Sequence, residues 1–507
     1  MKKCVFCACA VLSFLFTVTG FAAEFYIEVN GQDSEERDGK SKESAFASLE
    51  YAVSKLPDEA NTIHVGPGTF EIKNTVKLKS NLKILGSGTK GESATVFMAG
   101  GKWPLKPNFN KHNPPNEYLM SFEKAKGLEI SSLSLRSKPE HRITGAVFCK
   151  RSEQIEIHNV HVEDFRWGGI HLELVKKAKV YNSTLHNCSV EKSSWWGGNI
   201  RSRYLEDSEI YKNVITSDTG GGYGYKASGH TGVKVHHNYI KMKNGFSIES
   251  AHEHEYGLEI HNNYLVGCIS VPKPNQSDNP KKRGFDYTVW IHDNYLEDSY
   301  TIEGPRNYMR VNNNFINITM KNGRCYTHHG GINNGPIWIH NNVINNVDRA
   351  VVWMNAGLAE NIHFYNNTVF AAVAGERKGA FFGAYEAKRL NNWTITNNIF
   401  VAPAEEARAL MATGRGVPSK ITARNNICVN VSNVPEGNFT DIKPEFAMSG
   451  DKPWAYYLPA SESSNLVDKG IQVDQPFKGE VKGSRVDIGA LEYGAQLPSW
   501  DVPEKPE

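Results

Sequence analysis

The segment VKVHHNYIKMKNGFSIESAHEHEYGLEIHNNYL (233–265) carries one short phrase twice. VHHNYI (235–240) and IHNNYL (260–265) each run from an apolar residue through polar residues to Asn, then to an aromatic and an apolar residue. Toward the C-terminus the phrase recurs as IHDNYL at Asn294, VNNNFI at Asn314, IHNNVI at Asn342, YNNTVF at Asn367, TNNIF at Asn398 and RNNIC at Asn426. Toward the N-terminus it continues through IYKNVI at Asn213, VYNSTL at Asn182 and IHNVHV at Asn159, with spacings of 20 to 31 residues throughout. Self-similarity at such a period marks a stacked repeat. The apolar residues alternate at period two and are mostly β-branched or aromatic, so each unit is strand rather than helix. Variable spacing means loops of different length on a fixed frame. The expected fold is therefore all-β, a parallel β-helix (solenoid) with one coil per repeat and coils about 4.8 Å apart. Asn suits the recurring turn because it tolerates left-handed backbone angles and its amide can bond to its neighbours as a ladder. An antiparallel sandwich would not keep one Asn phrase in register over eleven units.

Composition agrees with this frame. The chain has 507 residues, 22% charged, with 46 Asn beside 44 Gly. Those fractions exclude a disordered chain, and Gly and Pro show no three-residue period, which excludes collagen. A net charge of +2 speaks against nucleic acid as a partner. Lys2 and Lys3, the apolar run Cys4–Val18 and the small residues Gly20, Ala22 and Ala23 read as a secretory signal over residues 1–23, directing the chain to the periplasm or outside the cell. The run is shorter than the ~20 residues of a spanning helix, and no later segment spans. Five cysteines remain beyond it, Cys149, Cys188, Cys268, Cys325 and Cys428, read as buried small apolar residues. One domain is expected over 24–494: an amphipathic helix over 45–56 capping the first coil, regular coils over about 140–430, and a looser segment over 431–494. A flexible tail follows at 495–507. No protein partner is implied.

Before each recurring Asn lies another strand: GAVFCK, GGIHLEL, GGNIRSR, GYGYKAS, GFSIES, SYTIEG, CYTHHG and AVVWMN. With Ile170, Leu172, Ile200, Tyr225, Ala227, Ile248 and Ile302 inward, alternation turns an ionisable column outward. It comprises His171, Glu173, Asn199, Arg201, Lys226, Glu249, Glu303 and His328, with Arg203 at the end of its strand. Trp167, Trp195, Trp196, Tyr223 and Trp353 could offer platforms for sugar rings, and loops at 266–284 and 370–392 could wall a groove. The alternative reading of the column is a solvated face of ion pairs.

Two stretches carry a family resemblance. FYIEVNGQDSEERDGKSKESAFASLEYAV (25–53) resembles the opening of secreted right-handed parallel β-helix proteins of the pectate-lyase-like superfamily, with Ala45 where Pro is usual. PEFAMSG (444–450) and DIGALEYG (487–494) resemble the closing segments of that group. GYKASGHTGVKVHHNYI (224–240) resembles the strand, Lys and turn of the alginate lyase and chondroitinase B family. The resemblance implies that Lys226 abstracts the C5 proton of a uronate. Arg201 and Arg203 would lower its pKa and hold a substrate carboxylate. TGGGYGY (219–225) stands where that family holds calcium, so no cofactor or metal is carried over, although calcium or another divalent ion remains open.

Glu249 and Glu303 support a different reaction. With RGFDYTVW (283–290) as an intervening coil, they stand about two coils apart, near the ~6.5–9.5 Å carboxyl spacing of inverting glycosidases. His252 and His254 lie on the turn after Glu249, Arg306 lies three residues past Glu303, and His328 and His329 form a second pair. The expectation is a secreted enzyme cleaving an acidic, uronic-acid or sulfated polysaccharide by β-elimination. The site residues are Lys226, Glu249, Glu303, Arg306, His252 and His328, and the substrate-binding residues are Arg201, Arg203, His171, Trp195, Trp196, Tyr223 and Trp353. The alternatives are an inverting hydrolase and a non-catalytic glycan-binding or adhesive solenoid.

Overall fold

The computed structural model describes residues 22–101, 103, 117–190, 197–250, 253–271, 279–297, 302–304, 307–318, 324–333, 335–372, 379–386, 390–415, 419–448, 450, 453–475, 481–495, 498 and 501–506. The chain winds into a parallel β-solenoid of right-handed type with about 11 turns. A representative coil has three strands, Gly145–Lys150, Glu153–His158 and His161–Glu163. The next repeats them as Gly168–Glu173, Lys176–Tyr181 and Thr184–His186. Each strand pairs in parallel with its counterpart one coil on, so Val147 stands opposite Ile170, and Ile170 opposite Ile200. Like therefore stacks on like in three sheets. Parallel pairing begins at Ala23–Ile27 and extends to Val431–Ser432.

The interior is filled by the inward positions of the first sheet, Val147, Ile170, Ile200, Tyr225, Ile248, Ile269 and Ile302, all buried, together with those of the other sheets. Each such side chain contributes about 1.5–3 kcal/mol. All five cysteines are buried. Burial raises their thiols, Cys325 and Cys428 to about 12, which keeps them inert at neutral pH.

The turn between second and third sheets divides between two neighbouring residues the work expected of one Asn. At the first, φ lies between 49° and 57°: Asn159, Asn182, Lys212, His237, Asn262, Asp293, Asn313, Asn341, Asn366, Asn397 and Asn425. At the second, the buried amides of Asn213, Asn238, Asn263, Asn294, Asn314, Asn342, Asn367, Asn398 and Asn426 donate each to the next at 2.9–3.0 Å. Asn159 and Asn182 therefore do not belong with Asn213. In their coils Val160 and Ser183 hold the second position, and Ser183 N–H donates to the Asn213 carboxamide oxygen at 3.1 Å.

The N-terminal helix is shorter than expected, Leu49–Lys55, with Leu49, Ala52 and Val53 buried. Ser48 caps it by accepting from Tyr51 N–H at 3.2 Å. Phe46 cannot join it, because its N–H and carbonyl bond to Tyr26 and Glu28 of the first strand region. Near the C-terminus the segment 487–494 lies against the Asn turns: Asn341 and Asn366 donate to the Ala490 and Asp487 carbonyls.

Candidate active site

Register alone aligns the outward column of the first sheet. Phe148 stands beside His171, His171 beside Arg201, Arg201 beside Lys226, and Lys226 beside Glu249. Glu249 is followed by Ser270, Glu303, Thr327 and Trp353. The coil between Glu249 and Glu303 is thus built on Tyr264–Ser270, not on 283–290, where a short 3-10 helix, Pro280–Arg283, precedes the second-sheet strand Val289–His292. The loop expected from residue 266 is strand up to Ser270. His328 stands one residue off the column, opposite Met354, because Thr327 pairs with Glu303. Asn199 leaves the column as well: it is fully buried and its side-chain oxygen accepts from Cys188 N–H at 2.8 Å.

Aromatic rings lie against the centre of this outward column. Lys226 and Glu249 form an ion pair across neighbouring coils with side chains only 4% and 8% exposed. The Lys226 ammonium also sits 4.5 Å from the centroid of the Tyr223 ring. Tyr223 itself is buried against Phe246, so the ring covers the lysine and offers no open platform. One coil back, Arg201 lies 4.4 Å from the Trp167 ring and donates to His171 Nε2 at 2.6 Å. A guanidinium cannot accept, so Nε2 is the bare nitrogen and Nδ1 carries the proton, facing the Tyr118 hydroxyl at 3.0 Å. Trp167 is buried beneath this cluster.

Burial and the neighbouring Arg201 push the Lys226 ammonium down to about 7. The Glu249 carboxylate pulls the other way, toward the charged form. Burial lowers Arg201 to about 10 and holds His171 well below the usual imidazole range, with Arg201 adding to the effect. Farther along, Glu303 accepts from Ser270 Oγ at 2.6 Å. Arg203, two residues on from Arg201, donates to Glu253 at 3.3 Å.

Trp195, Trp196, His252 and Arg306 lie outside the described residues. Among the described residues no three His, Cys, Asp or Glu side chains gather as they would around a metal ion. Sequence reasoning missed Tyr118 and Ser270, which carry no charge and sit in no motif, although both precede or follow the charged strands by one or two coils. A depression of about 670 Å³ lies on the second sheet, lined by residues that include Lys83, Glu129, Glu156, Lys179 and Glu209. Lys83 and Glu129 pair there at 2.9 Å.

No family model and no curated protein matches the chain. Solved structures do. A tailspike protein mutant of E. coli bacteriophage HK620, in complex with a pentasaccharide, is 10% identical over 79% of this chain and 76% of its own, with a TM-score of 0.48. Pectate lyase Pel9A is 13% identical over 92% and 96%, with a TM-score of 0.33. The A-module of an Azotobacter vinelandii mannuronan C-5 epimerase is 11% identical over 78% and 93%, with a TM-score of 0.31. Identities this low give no residue-level correspondence. The architecture itself is a parallel β-solenoid, as the strand pairing shows.

Proposed function

We propose that this protein is a secreted enzyme that cleaves an acidic polysaccharide by β-elimination at Lys226, with the Leu49–Lys55 helix closing the first coil. The observation that carries the reading is the buried Lys226, hydrogen-bonded to Glu249 and flanked by Arg201, on an outward column of the solenoid. A neutral amine there can take the C5 proton of a uronate. The electron pair left behind forms the C4–C5 double bond, the C4–oxygen bond breaks, and the departing oxygen takes a proton from water. A cation such as Arg201 neutralises the substrate carboxylate and so acidifies C5–H. Glu249 holds the amine in place by accepting a hydrogen bond from it in the resting pair. The signal-like start of the chain supports export.

The second reading is hydrolysis by Glu249 and Glu303, which stand two strand steps apart, roughly 10 Å along the column. The Lys226 pairing speaks against a free Glu249. One assay tests both. Purified protein is incubated with uronic-acid and sulfated glycans while absorbance near 232 nm and reducing ends are followed together. Reducing ends with absorbance mean elimination, and reducing ends alone mean hydrolysis. Neither, over a broad panel, leaves a glycan-binding solenoid.

A further inference from the structure

Trp353 continues the same column two strand steps beyond Glu303. The next position is Gly383, and the Trp353 ring lies directly over it: a Cβ built there would come within 2.5 Å of the indole. The absent side chain lets the ring lie along the sheet. Two guanidinium groups gather at that ring, Arg349 at 4.6 Å and Arg324 at 5.5 Å from its centroid. Arg324 is only 6% exposed. Its Nε and the Trp353 Nε1 are buried without hydrogen-bond partners among the described residues. Tyr385, 51% exposed, meets the indole edge-on at 5.5 Å. Holding two cations at one ring repels each from the other, and an anion set between them offsets that cost.

We infer that Arg324, Arg349 and Trp353 form a second subsite, which binds the carboxylate or sulfate of a sugar unit farther along the polysaccharide engaged at Lys226. The inference rests on the proposed function for its substrate. From Lys226 to Trp353 the register counts five strand steps, about 24 Å. Only a chain of several units reaches both. Ligand length therefore separates this subsite from the first.

The test is direct binding by calorimetry, which needs no turnover. Wild-type protein and Arg349→Gln are titrated with short and long oligomers of polygalacturonate (carboxylate only), with dextran sulfate (sulfate only) and with neutral dextran. The expected result is that long anionic oligomers bind about tenfold more weakly to Arg349→Gln, while short ones bind both proteins alike. Whichever anionic series shows the loss identifies the acid group. Gly383→Ala, which displaces the ring and leaves every charge in place, is expected to reproduce the length-dependent loss. Equal binding of all lengths to wild type and Arg349→Gln, or neutral dextran binding as tightly as the anionic oligomers, would overturn the subsite. Loss of cleavage in Lys226→Ala with this binding pattern intact bears on the first site alone.

Discussion

Lys226 donates a hydrogen bond to the carboxylate of Glu249 in the next coil, and neither side chain is more than a tenth exposed. Such a pair is costly to bury and costlier to break. Removing one partner leaves an uncompensated charge, worth about 3–5 kcal/mol.

Lys226→Ala should therefore lose about 3–5 kcal/mol of stability, and Lys226→Met/Glu249→Leu should recover most of it. Activity should not follow. Both variants are expected to lose turnover by about 10²–10⁴-fold. Denaturant melts and the 232 nm assay run side by side separate the two effects. A double variant that regains activity with stability would end the role of Lys226 as base.

The pH profile carries a definite sign. In the folded protein Lys226 titrates near 7, against an ordinary lysine value of about 10.4. Between those values the unfolded chain binds the extra proton, so this group's contribution to stability rises with pH across that window. Catalysis by the neutral amine likewise needs the proton gone, and kcat/KM should show an acid limb with a midpoint near 7. Glu249→Gln removes the charge that holds the proton, so its limb should move to lower pH. An unmoved limb would mean another group titrates there.

The two-residue Asn turn predicts opposite outcomes one residue apart. Asn314 is fully buried, accepts from Asn294 and donates to Asn342, Ile291 and Asn312. Asn314→Ala strands several of these groups and should cost on the order of 3 kcal/mol. Exposed Lys212 holds φ at 54°, which favours Asn or Gly. Lys212→Asn should raise stability by up to about 1 kcal/mol. Thermal melts of the two variants, moving in opposite directions, are the check.

Ser202, His230 and Glu255 are composed like a nucleophile, base and carboxylate, with Ser202 Oγ 2.8 Å from His230 Nε2. All three are buried at 1% exposure or less. Glu255 accepts from the Gly229 and His230 N–H groups and from Ser250 Oγ, which makes the cluster an internal brace. Native protein should thus resist labelling by a fluorophosphonate. Glu255→Gln should unfold at a markedly lower temperature. Labelling at Ser202 in the folded state would show that the cluster opens to solvent.

By itself the sequence determined the parallel coils, because residues stacked at one inter-strand spacing must repeat their chemistry, and the Asn phrase does so from Asn213 to Asn426. It also determined that Arg201, Lys226, Glu249 and Glu303 share a face, since side chains alternate along every strand. Only the tertiary structure decided which residue fills each step between them. Loop length is free in a solenoid, so spacing could not show that Tyr264–Ser270 supplies the coil between Glu249 and Glu303, or that Thr327 takes the place expected for His328. Burial was equally invisible: Tyr223 meets Phe246 edge-on and its ring lies against Lys226, while Trp167 is buried against Arg201. The charged face was legible as a pattern, but burial, with Arg201 beside it, is what lowers Lys226 toward neutrality.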